Sequence, residues 1–318
     1  MIFRVLAVAF NAYREAVRAR VLHALFGLAL TVTGYSLVLG ALSLHQDARV
    51  VADVGTASAS LFSIVLAVTL AATMLHREVE LKTLYPILTR RLLRHEYVAG
   101  KFLGIYLTIA AFLLTDAALT LTLLATRVEG ALGASADGVA RAVPIAAPVL
   151  AFASTFTAMA WRRSTRTFAL LPSAVVFLLV ASVVVGPANG ERQLVWAQLV
   201  LSLAETAVVL AIALLFASFS SPFLTAATAL GVFVVGRSAD TLANLPVRLF
   251  GEGLRGGGAL LAKIVPNLQV FVPERPLLLG QSHVSTWAYV ARSSGLACAY
   301  VAILLGLSAL IFARRDFE

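Results

Sequence analysis

The sequence is short of charge. Aspartate, glutamate, lysine and arginine make up 13% of its 318 residues, about half the roughly 25% of a soluble domain. Hydrophobic residues account for 60%, and the mean hydropathy is +0.92. A water-soluble fold cannot hide that much apolar surface, so the solvent is a lipid bilayer. Cysteine is nearly absent: Cys298 stands alone in an apolar run, which excludes an internal disulfide and suits a small packing residue. The five histidines (His23, His45, His76, His95, His283) are scattered and lack metal-ligand spacing. No phosphate loop is present. Gly100-Lys101 runs into Phe102, and His95 stands where the first glycine would be, which excludes ATP hydrolysis by that route. No Gly-x-Ser-x-Gly elbow occurs either. The formal charge of +9 lacks the basic tracts interleaved with aromatics that read single strands. It fits the positive-inside bias and anionic headgroups instead, so nucleic acid is not expected as a partner.

What is there is a series of apolar runs. A membrane helix needs about 20 mostly apolar residues. Val21–Leu42, Val54–Leu75, Phe102–Thr126, Thr167–Gly186, Leu194–Phe219 and Trp287–Phe312 meet that need. Two weaker runs bring the count to about eight. Val139–Ala160 carries Pro144 and Pro148, and Pro222–Leu242 carries Arg237 and Asp240 near one end. The fold class expected is all-α, a polytopic helical membrane domain covering 1–318. Val21–Leu42 exceeds a signal-peptide core and is read as an uncleaved span.

Basic residues orient it. With the N-terminus inside, the cytoplasmic segments collect the clusters Arg4–Arg20, Arg77–Lys101, Arg162–Arg166 and Arg314–Arg315, fifteen of the 25 lysines and arginines. Both termini are then cytoplasmic, as an even span count requires. Before the first span, Ile2, Val5, Leu6 and Ala9 share a helical stripe, and Arg14, Glu15, Arg18 and Arg20 follow. The pattern predicts an interfacial helix over 1–20 on the inner leaflet. The segment 243–286 holds Pro246, Pro266, Pro273 and Pro276 and a glycine-rich stretch. Its apolar pieces are too short to cross; they dip into the outer leaflet as re-entrant pieces or form a lid above it.

Two features carry the functional expectations. Asp116 and Glu205 lie inside apolar runs, where a carboxylate must face a partner, water or the bundle interior. Each is either a polar or proton-linked site or a paired packing residue, and Thr115 and Thr120 are placed to help solvate Asp116. The second feature is the cytoplasmic segment 77–100. Val79, Leu81 or Lys82 and Leu84 can turn an apolar edge toward a groove, and Glu78, Glu80 and Lys82 supply charge at helical spacing. Pro86 disfavours helix at Tyr85 and ends the short helix there.

Five stretches in order resemble the type-2 ABC-transporter permease family. NAYREAVRARVLHAL (Asn11–Leu25) resembles its elbow helix, with Arg14, Glu15 and Arg18, and REVELKTLYPILTRRLLRHEYVAGKFLG (Arg77–Gly104) its coupling segment. LAETAVVLAIALLFASFSSP (Leu203–Pro222) is similar to a mid-chain helix ending in a Ser-Pro turn. VPNLQVF (Val265–Phe271) and IFARRDFE (Ile311–Glu318) match its outer hairpin and closing tail. Leu92 and Leu93 depart from a common proline and serine. The pair Val139–Ala160 and Thr167–Gly186, joined by WRRSTR, is additional to the usual six spans. The resemblance implies the permease subunit of an exporter in the bacterial cytoplasmic membrane, with an outer re-entrant hairpin before the last helix. It implies a homodimer, or a heterodimer with a related permease. No cofactor binds this chain; ATP and Mg sit on separate ABC ATPase subunits, met through Arg77, Glu78, Val79, Glu80, Leu81, Lys82, Thr83, Leu84 and Tyr85. The chain itself is then no enzyme. A proton-linked secondary transporter and a polytopic membrane enzyme are the alternatives.

Overall fold

The computed structural model describes residues 2–43, 46–80, 93–127, 142–162, 165–186, 190–244, 256–258, 265–280 and 283–314. Among them the chain is helical, with no strand. Helix α1 covers Ile2–Val17, α2 Arg20–Leu42, α3 Asp47–Glu80, α4 Arg94–Ala125, α5 Val143–Trp161 and α6 Leu170–Val185. Then follow α7 Gly190–Ala217, α8 Pro222–Arg237, α9 Ala239–Ala243, α10 Arg275–Leu278 and α11 Thr286–Arg314. Short 3-10 turns at Arg166–Phe168 and Gln269–Phe271 precede α6 and α10.

Seven of these helices are long and apolar enough to cross a membrane: α2, α3, α4, α5, α6 with its leading turn, α7 and α11. The eighth expected span is different. Helix α8 has 16 residues, about 24 Å at 1.5 Å per residue, against a hydrocarbon core of about 30 Å. Ser221 caps it, accepting from the Leu224 amide at 3.4 Å, and Pro222 opens its first turn. Its far end meets another segment. The Gly236 carbonyl accepts from the Leu268 amide at 3.0 Å. A Cβ on Gly236 would lie 2.7 Å from the Pro266 carbonyl, so only glycine permits that approach.

Helices α3, α4 and α7 form the centre, and most of their apolar residues are buried. Such helices are hydrophobic all round because every face meets another helix. The outer helices α2, α5 and α11 bury little of their surface. Small residues set the close approaches, as in membrane bundles generally. A Cβ on Gly55 of α3 would collide with the Thr120 side chain of α4. Helix α5 tolerates Pro148 in its interior.

Two helices, α3 and α4, extend beyond the sequence expectation at their ends. Helix α3 starts at Asp47 rather than near Val54, and it runs without a break through Arg77 to Glu80. At 34 residues it is about 51 Å long. Helix α4 likewise starts at Arg94, and Glu96 accepts from the Leu93 amide at 3.1 Å to cover an end donor. Polar residues at helix ends read as loops in a hydropathy scan, yet they cost little in a helix that extends beyond the apolar layer.

Candidate functional site

A carboxylate buried in an apolar bundle needs a counter-charge or a full set of hydrogen bonds. Glu205 on α7 has both. It is fully buried, pairs with Arg237 at the end of α8, and accepts from the Ser60 hydroxyl of α3 at 3.1 Å. One turn along α3, Ser63 bonds Thr206 of α7 at 2.9 Å. Arg237 also lies 5.9 Å from the Phe233 ring, within cation–π range. Glu205 thus joins α3, α7 and α8.

Towards the start of α3 a second ionic group ties the chain together. Arg275 of α10 pairs with Asp53 of α3 and with Glu191 of α7. The carbonyl of Phe271 accepts from the Gln198 side chain of α7 at 3.4 Å. Tyr289 of α11 donates to the Val270 carbonyl at 2.7 Å, and Asn267 donates to Asp240 at 2.8 Å. The segment 265–280 is therefore bonded to α3, α7, α8, α9 and α11, with Leu268 and Phe271 buried. Between this segment and the helices lies a cleft of about 190 Å³.

Asp116 of α4 is also fully buried, but it does not join Glu205. Thr33 of α2 donates to its Oδ1 at 2.9 Å, and Ser58 of α3 lies 2.7 Å from Thr33. Its Oδ2 has no hydrogen-bond partner. Thr115 and Thr120 do not solvate the carboxyl group as expected. Their hydroxyls donate to the carbonyls of Ala111 and Asp116, not to the carboxyl group. A threonine on the same helix reaches its own turn more readily than a neighbouring side chain.

The N-terminal residues are placed as follows. Helix α1 lies against α4, with Ala9, Ala12, Tyr13 and Ala16 buried between them. The expected stripe therefore divides: Ala9 is buried and Val5 half-buried, whereas Leu6 is exposed, as are Phe3 and Phe10 outside the stripe. Glu15 pairs with the buried Lys101 of α4 at 3.2 Å. Arg14 sits 5.3 Å from the Phe168 ring, which stacks on Tyr13 at 5.5 Å. Burial pushes the Tyr13 phenol up to about 12. Arg18 is exposed. Arg77, Glu78, Val79 and Glu80 form the last turn of α3; Leu81, Lys82, Thr83, Leu84 and Tyr85 lie outside the described residues.

Glu205 and Asp116 stand out in the sequence, but Arg237 as the partner of Glu205 does not, nor do Arg275, Gln198 and Lys101, which tie down other groups. One signal was present. A lone acid in one apolar run and a lone arginine at the end of another call for each other. Among the described residues no group of three or more histidines, cysteines or acids could hold a metal ion.

These features define a polytopic helical protein of membrane type. No protein-family model and no curated protein matches the chain.

Proposed function

We propose that the chain is the permease subunit of an ATP-driven exporter of the type-2 ABC kind, in the bacterial cytoplasmic membrane with both termini inside. In this reading two such permeases, alike or related, pair with separate ATPase subunits that hold ATP and Mg. The single observation that carries it is the continuity of α3. One unbroken helix joins Arg77–Glu80 to Ser60, and Ser60 bonds the buried Glu205. A push on the charged end of such a helix reaches the polar centre without a hinge. Helix α4 returns from the same side, and Glu15–Lys101 pins α1 to it. The exposed Phe3, Leu6 and Phe10 suit an elbow helix resting in the inner leaflet. The short α8, packed on α3 and α7, and the segment 265–280, bonded to α3, α7 and α11, suit a re-entrant hairpin that completes the eighth crossing. Glu205 has both oxygens engaged, which weighs against it as the carrier of a proton-linked transporter.

Two tests follow from the coupling reading. The purified chain alone is expected to hydrolyse no ATP, and a phosphate-loop ATPase from its own host should co-purify with it. Robust hydrolysis by the isolated chain would sink the assignment. The triple variant Glu78→Lys, Glu80→Lys, Leu84→Asp reverses two charges and places a third in the apolar edge. Mismatched charges cost on the order of several kcal/mol at an interface, enough to release the ATPase in a pull-down while membrane abundance stays normal. Retention of the ATPase by a well-expressed triple variant would move the contact elsewhere, to the elbow around Arg14, Glu15 and Arg18.

A further inference from the structure

The cleft beside Glu205 has a lining with a definite chemical bias. Asp53, Thr56, Ala57 and Ser60 line one side; at this spacing they share a face of α3. The Thr56 hydroxyl spends its proton on the Ala52 carbonyl at 2.8 Å. The Ser60 hydroxyl spends its proton on Glu205. Gln198, from α7, faces the Phe271 carbonyl, which can only accept, so the NH2 group must point there and Oε1 is left over. Asp53 adds a carboxylate that is 48% exposed at one end. Four side chains thus offer acceptors, and the lining arginines have their charge met by acids: Arg237 by Glu205, Arg275 by Asp53 and Glu191. Arg49 reaches Asp53 at 3.7 Å from outside the cleft and is itself 54% exposed. With Arg49 counted, three acids (Asp53, Glu191, Glu205) face three guanidiniums (Arg49, Arg237, Arg275) in and around the lining, so the charges balance. Leu194, Val272, Pro273 and Leu278 supply an apolar wall.

We propose that this cleft binds a primary ammonium group attached to a short apolar body. An ammonium has three N–H donors and no acceptor, which complements acceptors that have no proton left to give. An anion would meet the Asp53 carboxylate and two arginines already engaged, an arrangement that discriminates against it. Asp53 and Ser60 are seven residues apart, about 10.5 Å along the helix, so an ammonium near Asp53 keeps clear of Arg237 and shares the carboxylate with Arg275. At about 30 Å³ per water the cleft's volume equals roughly six waters, the room for a small amine or one lipid headgroup.

The probe is n-butylamine, titrated calorimetrically into the full chain in phosphatidylcholine nanodiscs, with butyrate and butanol in parallel. Saturable binding is expected for the amine alone. Asp53→Asn should weaken it about tenfold or more, the loss of a charged hydrogen bond. Because that change also removes one partner of Arg275, Thr56→Val is the second variant. Its hydroxyl bonds only carbonyls of its own helix, so the fold stands, and binding should weaken about three- to tenfold. Discs containing phosphatidylethanolamine distinguish the source. Weaker apparent butylamine binding there assigns the site to a lipid headgroup; equal binding in both assigns it to a soluble amine, and either supports the site. Tighter binding of butyrate than of butylamine overturns the proposal, as does amine affinity unmoved by both variants. No ATPase partner takes part, so failure here leaves the proposed function untouched.

Discussion

Arg237→Leu is expected to destabilise the protein more than any other single change at the polar centre, by about 3 kcal/mol or more. Glu205 is fully buried, and without Arg237 its remaining bond is the one from Ser60. Removing one partner of a buried ion pair typically costs about 3–5 kcal/mol because a charge is left uncompensated. The partial exposure of Arg237, 30%, puts the value at the lower end. Replacing both partners by similar apolar side chains is often neutral. The double variant Glu205→Leu, Arg237→Leu should therefore recover most of the loss. Unfolding of the four proteins in lipid discs gives the coupling energy by a double-mutant cycle. A double variant as unstable as the arginine single would show that the pair acts through packing rather than charge.

Gly104→Leu should strip α1 from the bundle. A Cβ there would lie 2.8 Å from the Tyr13 amide nitrogen and closer still to the Ala9 carbonyl oxygen. Both obstacles are backbone, which cannot rotate away. One turn earlier, a Cβ on Gly100 would lie 2.9 Å from the Val5 carbonyl, so the two glycines form one seat for α1. Overpacking of this kind costs about 1–3 kcal/mol when the structure yields, and the yielding here must be a shift of α1. Glu15 would then leave Lys101, a side chain only 2% exposed. The readout is reactivity of a cysteine introduced at Ala12, which is fully buried, in a Cys298→Ala background. Fast labelling with Gly104→Leu and slow labelling without it is the expected result; equal rates would mean that α1 stays seated. If the proposed coupling holds, ATPase stimulation should fall with the same substitution.

Much of the helical plan was legible along the chain because lipid imposes a single rule on a crossing segment. It must satisfy its backbone internally and present about twenty apolar residues. Hence α2, α7 and α11 fall close to the runs seen by composition. The rule weakens where a helix is not surrounded by lipid. Asp47–Asp53 and Arg94–Lys101 are helical despite their polarity. Pro222–Arg237 stops short because Leu268 and Pro266 meet its end, a contact between residues about thirty apart that no local pattern announces.

The polar site divides in the same way. Sequence alone determined that Asp116 and Glu205 must be satisfied inside the bundle, since the cost of a buried carboxylate depends only on its surroundings being apolar. Only the tertiary structure decided how. Arg237 and Ser60 come to Glu205 from two other helices, and Thr33 comes to Asp116 from a third. The acceptor character of the cleft was likewise invisible in the chain. A serine, threonine or glutamine can donate or accept, and which it offers depends on where its other bonds go; at Thr56, Ser60 and Gln198 those bonds are fixed by packing.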